Sequence, residues 1–235
     1  MNKYNKQTRV LLATDCIIFG FDGKQLKLLV VKRALEPQSG QWSLMGGFVQ
    51  KDESSEQAAT RVLKQLTGLD GVYMEQMNAF SSVDRDPLER TVSISYFALI
   101  DIHEYEHQLT EEFHPEWFEL KKIPKLIFDH NQMVEMAKRK LRYKAALHPI
   151  LFELLPDKFT IPTLQNLYEA VYDTTFDKRN FSRKLLSTDL LVKQKEKEKL
   201  SSKKGAYYYK LDKRKYRKNI HSILNIIPTP QEFMG

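Results

Sequence analysis

The chain has 235 residues, 42% of them apolar and 29% charged, with a formal net charge of +7 and a single cysteine. That length suits one large domain or two modest ones with real hydrophobic cores. The absence of any run of about 18 apolar residues excludes a helical membrane span, and one thiol excludes an internal disulfide.

The polar, basic start from Met1 to Val10 does not resemble a secretory signal, so a cytoplasmic chain with Cys16 buried in the run Cys16-Ile17-Ile18-Phe19 is expected. Residues 11–33 alternate like two strands about the turn Phe21-Asp22-Gly23-Lys24, and Pro37-Gln38-Ser39-Gly40 marks a loop. Trp42 to Val49 carries the pair Gly46-Gly47, which permits a turn or a close backbone approach. A helix then begins at Asp52 or Ser54 and stops at Gly68. Residues 72–83 and 91–102 are predicted strands separated by the charged loop Asp84 to Arg90, and Pro115 to Leu120 is a last short strand. Asn131 to Leu147 turns helical, followed by a short helix at Ile150 to Leu155, then Pro162 to Tyr172 and Asp177 to Ser187. Leu190-Leu191-Val192 and Tyr207-Tyr208-Tyr209 flank a polar tip, Lys193 to Lys204, as a hairpin in which Tyr207 and Tyr209 face inward and Tyr208 outward. The pattern divides at residues 147 and 148. An α+β domain of mixed strands and helices, ending in a bridge helix over 131–147, precedes a domain over 148–235 of three helices and a hairpin.

Gly47, Glu53, Arg61, Leu63, Gly68 and Leu69 stand at the spacings of G-x5-E-x7-R-E-U-x-E-E-x-G-U, where U is a bulky aliphatic. This segment resembles the signature of Nudix hydrolases, which implies a Nudix-type mixed-sheet α/β/α sandwich. In that family three helix glutamates hold divalent metal beside a pyrophosphate. Here those positions are Val62, Gln65 and Leu66. At i, i+3 and i+4 they share one helical face, and a hard cation that needs carboxylate oxygens finds none there. The resemblance therefore implies the fold without its catalytic metal, so neither catalytic residues, metal nor cofactor are expected, and Glu53 with Arg61 is left as a structural ion pair. Other carboxylates, Asp52, Glu56 or Glu111-Glu112, do not restore the spacing of that triad. His103 and His107 lie four apart with His114 nearby, a spacing that would suit zinc on a helix, but the segment reads as a loop.

Charge singles out the C-terminal third. Residues 1–156 hold 20 Lys and Arg against 21 Asp and Glu, whereas residues 157–235 hold 17 against 9. A basic segment of this kind suits a polyanion. On the helix from Asp177, Phe181, Leu185 and Leu186 form an apolar stripe, while Lys178, Arg179, Asn180, Ser182 and Arg183 are left to a basic, hydrogen-bonding front suited to the major groove. Lys203 and Lys204 at the hairpin tip are candidates for phosphate contacts. The run Lys213 to Lys218 adds phosphate contacts or is a solvated helix end.

Asp84-Arg85-Asp86-Pro87 with Arg90 to Tyr96, and Phe159 to Leu186, are similar to the loop, strand and winged helix-turn-helix of Nudix-related transcriptional regulators. That resemblance covers nearly the whole chain. It implies a homodimeric repressor binding operator double-stranded DNA under a small-molecule effector, without a membrane. The arabinose-responsive branch looks closest, making L-arabinose the favoured effector, with ADP-ribose and control of NAD metabolism as the alternative. A Nudix hydrolase with an accessory nucleic-acid module is the rival class. Candidate effector residues are Asp15, Lys32, Trp42, Arg61, Asp84, Arg85 and Tyr96. Trp42 or Tyr96 would wall a sugar, although Trp42 serves equally as core, and Lys32, Arg33, Arg61 and Arg85 are available to a pyrophosphate.

Overall fold

The computed structural model describes residues 6–109, 112–199 and 205–219. β-Branched and aromatic residues make β1 (Leu11–Phe21) a strand, and the Asp22 carboxylate closes the turn into β2 (Leu26–Lys32) by accepting from the Lys24 and Gln25 amides. β3 (Trp42–Ser43) and β4 (Met45–Phe48) follow, then α1 (Ser55–Thr67), β5 (Tyr73–Phe80) and β6 (Thr91–Asp101). One edge of β1 pairs antiparallel with β4 and, further along, with β2. Its other edge runs parallel to β6, which β5 extends antiparallel. A short α2 (Ile102–Tyr105) leads to β7 (Glu116–Glu119), which shares the outer edge of β2 with β3.

The central strand is buried on both faces. Ile17, Phe19 and Phe21 belong to one apolar cluster, while Cys16 and Ile18 belong to another beneath α1 with Ala59, Val62 and Leu63. The Cys16 thiol lies 3.7 Å from the Ala59 carbonyl, and burial pushes its pKa up. Ser54, not Asp52, caps α1 in a full capping box with Gln57, and Gly68 closes it in the left-handed region at φ 81°.

α3 (His130–Leu147) packs Met133, Val134, Ala137 and Leu141 onto the other face of the sheet. A 3-10 turn at Ile150–Leu154 then carries the chain into β8 (Phe159–Thr160), α4 (Ile161–Tyr172) and α5 (Lys178–Ser187). β9 (Leu191–Glu198), β10 (Ala206–Leu211) and α6 (Lys213–Asn219) complete the second half. The expected plan is thus present: a Nudix-type mixed sheet between helices, then a winged helix-turn-helix. The halves are not merely tethered by α3. Leu151, Phe152, Leu154, Phe159, Leu164 and Tyr168 lie in the same continuous core as Ile17, Phe19 and Phe97. Each such buried side chain contributes about 1.5–3 kcal/mol. Polar ties add to it, from Arg142 Nε to the Val171 carbonyl at 2.8 Å and from the Tyr172 hydroxyl to the Arg142 carbonyl at 2.7 Å.

Several local expectations change. β8 adds a third strand, in the order β8-β10-β9, where a two-stranded hairpin was predicted. β9 continues to Glu198, so much of the supposed tip is strand. Tyr209 packs against the core as predicted, but Tyr207 does not: it is 38% exposed, beyond a register shift in the pairing of β10 with β9. Leu186 is also exposed, because it stands about 100° round the helix from Leu185. His103 and His107 fall on α2 and a 3-10 turn instead of a loop, and among the described residues no three His, Cys, Asp or Glu side chains converge to hold a metal. No helix among them is long and apolar enough to cross a membrane.

Candidate functional sites

The motif loop is stapled to α1. Arg61 donates from Nε and Nη2 to the Glu53 carboxylate at 2.9 and 2.6 Å, and from Nη2 to the Phe48 carbonyl at 3.0 Å. The hydrogen bonds from Arg61 hold the Glu53 carboxyl down from 4.5 to about 2, with help from the Gln50 amide. A carboxylate depressed on folding adds stability that is complete above its unfolded pKa and is lost as pH falls toward the folded one. Glu53→Gln is therefore expected to flatten the stability profile between about pH 4.5 and 2 and leave its shape near neutrality unchanged. Thermal melts across that range check it.

The three positions that carry glutamates in the hydrolases offer a cation no carboxylate. Val62 is 3% exposed and lies so close to Gly47 that a Cβ there would meet its Cγ2 at 2.7 Å. Leu66 packs against the same apolar cluster, and the Gln65 side-chain oxygen accepts from Arg61 at 3.1 Å. These residues do not fit a divalent ion.

The candidate effector residues separate into different environments. Lys32 and Trp42 are neighbours in the β2–β3 pairing, and the ammonium sits 3.7 Å from the indole centroid. Among the described residues no carboxylate pairs with Lys32. Trp42 also packs edge-on against Phe118, at the border of the core. Arg61 is engaged by the motif loop. Tyr96 is buried, and its hydroxyl bonds Ser55 at 2.8 Å. Asp84 is exposed and joins none of these residues.

Asp15 and Arg85 come together, but inside the protein. Arg85 donates to both Asp129 oxygens at 3.0 and 2.9 Å and lies 3.5 Å from Asp15, which also accepts from the Ser93 hydroxyl at 2.6 Å. His130 Nε2 stands 3.6 Å from Asp15 and its Nδ1 accepts from the Leu44 amide at 3.2 Å. Burial holds the His130 pKa below its ordinary value against the pull of Asp15 and Asp129, so the ring is neutral near pH 7. Gly46 is required beside this cluster, since a Cβ there would fall 2.2 Å from Asp15 Oδ1. Asp15 and Arg85 thus join the sheet and the 81–90 loop to the start of α3. Asp129 and His130 had escaped notice because they stand just before the residue where helical periodicity begins.

In the second half, Asp177 caps α5 by accepting from the Asn180 amide at 2.8 Å. Phe181 and Leu185 anchor α5, with Phe181 edge-on to Tyr168 of α4 at 5.5 Å between centroids. Lys178, Arg179 and Arg183 are exposed, Asn180 and Ser182 partly so, and Arg183 donates to the Asn180 side-chain oxygen at 2.8 Å. No carboxylate among the described residues pairs with those three cations. Lys203 and Lys204 lie outside the described residues.

Comparison with known proteins finds relatives of both halves. The family described as NUDIX domain matches residues 10–139, and the NrtR DNA-binding winged helix domain matches residues 151–211. The ADPR responsive transcriptional repressor NtrR of Acinetobacter baylyi is 32% identical over 218 residues, covering 91% of this chain and 87% of that protein. The crystal structure of Shewanella oneidensis NrtR complexed with a 27mer DNA superposes with a TM-score of 0.77 at 30% identity, over 88% of this chain and 95% of that one. The NUDIX domain of the same NrtR complexed with ADP ribose gives a TM-score of 0.51 at 32% identity, over 59% and 94%. The arabinose-responsive branch finds no support in these relatives, whose named effector is ADP-ribose. Resemblance along the chain had identified a regulator with a Nudix sensor and a winged helix, but no residue in it distinguished a pentose from a nucleotide sugar.

Proposed function

Because the chain belongs to the family of NUDIX-domain proteins that carry an NrtR DNA-binding winged helix, we propose that it is a homodimeric repressor whose Nudix domain senses ADP-ribose without hydrolysing it. The observation that carries DNA binding is α5, whose exposed cations Lys178, Arg179 and Arg183 have no carboxylate partner among the described residues, in a chain similar over both domains to a protein crystallised on DNA. Two half-sites read by two copies would match operator symmetry.

ADP-ribose is favoured over a neutral pentose because similarity to ADP-ribose-responsive proteins is joined by Lys32, a partly buried cation held over Trp42 with no carboxylate to neutralise it among the described residues. A charge-assisted bond to a pyrophosphate suits that ammonium. Loss of hydrolysis is supported by Val62, Gln65 and Leu66 in place of metal-binding carboxylates. The sensor then acts only by binding, and its influence on DNA equals its differential affinity for two states of the chain.

Thermal shift measurements test the effector. A ligand that binds only the folded chain at about 100 times its Kd adds about 2.7 kcal/mol to stability. ADP-ribose is expected to raise the melting temperature and L-arabinose to leave it unchanged. Lys32→Ala should weaken ADP-ribose roughly ten- to 150-fold, the worth of a hydrogen bond to a charged group. A shift with arabinose alone, or turnover of ADP-ribose that a chelator abolishes, would overturn this proposal.

A further inference from the structure

The wing places an exposed aromatic ring between two lysines. Lys193 Nζ lies 3.7 Å from the centroid of Tyr207 and Lys197 Nζ lies 4.4 Å from it. The register explains how one ring serves both. Tyr207 pairs with Lys197 and Tyr209 with Lys193, so two residues advance along β10 while four advance along β9. The two extra residues fall in β9, Lys193 and Lys197 both lie over the one ring, and that ring is 38% exposed. Glu196, between the lysines in sequence, is held elsewhere by Lys158 at 2.7 Å. The mixed charge of this segment is thereby sorted, with its two ring-bound ammonium groups on one side and a carboxylate already neutralised.

An ammonium lying over a ring still has N–H donors to offer outward. We propose that Tyr207, Lys193 and Lys197 form the surface of the wing that contacts the phosphates of duplex DNA, with Tyr207 as a positioning residue that holds both lysines ready. The proposal rests on the DNA-binding function above. Neither lysine has a carboxylate partner among the described residues, and the complementary surface for paired cations of this kind is a polyanion. Tyr207 itself reads no base, so its effect should be independent of sequence.

The test measures the affinity of the full chain for a mixed-sequence duplex of about 30 base pairs as a function of salt, where binding depends on phosphates. Tyr207→Ala is expected to weaken binding about three- to tenfold at low salt, and Tyr207→Phe, which keeps the ring, to match the unmodified chain. The Lys193→Ala/Lys197→Ala pair should reduce the slope of log K against log salt by about 2, close to 0.9 for each lost phosphate contact. Adding Tyr207→Ala to that pair should change affinity by less than about twofold, because its partners are already gone. Unaltered binding by Tyr207→Ala, an additive loss on the lysine pair, or a Tyr207→Phe as weak as Tyr207→Ala would each overturn the proposal while leaving DNA binding intact. Failure of the unmodified chain to bind the duplex would instead overturn the DNA-binding function on which it rests.

Discussion

Replacing Arg85 by alanine is expected to destabilise the folded chain by about 3–5 kcal/mol, the cost of stranding buried charge. Arg85 is 3% exposed in its side chain, and it is the only full cation among the described residues facing both Asp15 and Asp129. Without it the buried Asp15 carboxylate and the largely buried Asp129 carboxylate remain beside a neutral His130 with no cation to face them among the described residues. Arg85→Lys should recover only part of the loss, since an ammonium cannot reproduce the two-pronged bond to Asp129. Urea unfolding of the three proteins measures the difference. A loss below about 1 kcal/mol for Arg85→Ala would mean that the carboxylates find water and that the cluster contributes little. The consequence reaches beyond stability, because the start of α3 is one end of a helix whose buried face lies in the core that both halves share.

The second large effect is expected on DNA. Arg179→Ala and Arg183→Ala should each lower operator affinity roughly five- to 150-fold, the equivalent of about 1–3 kcal/mol for an arginine that reads a base. Both side chains are exposed on α5 and neither supports the core. Folding and the melting shift with ADP-ribose should therefore be unchanged. Arg183→Ala also releases the Asn180 side-chain oxygen, so its cost includes a freed amide as well as a lost cation. Fluorescence anisotropy on an operator obtained by selection from random duplexes provides the measurement. Undiminished affinity in both variants would place base recognition on another element.

What the sequence made legible was local or periodic. The Nudix loop and helix could be read because Glu53 and Arg61 meet across only eight residues and Ser54 and Gly68 cap the helix between them. The strands followed from alternation, and α5 from Phe181 and Leu185 opposed by Lys178, Arg179 and Arg183. What was hidden depended on distance or on broken periodicity. Asp15, Arg85 and Asp129 come from three separated segments, so nothing in spacing indicates that they neutralise one another within the protein. Two-residue β8 is too short to alternate, and nothing in the spacing of β9 shows the irregularity opposite Tyr207 and Tyr209. The shared core was concealed because Leu151, Phe152 and Leu154 look like the inside of a second domain, when they also complete the first. Effector identity was the least legible feature, since Lys32 and Trp42 suit a sugar wall and a phosphate contact equally.

The burial of Cys16 gives the molecule a built-in clock. Its sulfur lies beneath α1 against the Ala59 carbonyl, in the strand flanked by Met45 and Tyr96, and it is the only thiol in the chain. Burial keeps that thiol protonated, and an alkylating reagent reacts with the thiolate. Labelling must therefore wait until helix and sheet part, and its rate counts those partings in undenatured protein. Mass spectrometry of a labelling time course would thus time how often the sensor opens, with no engineered probe and no denaturant.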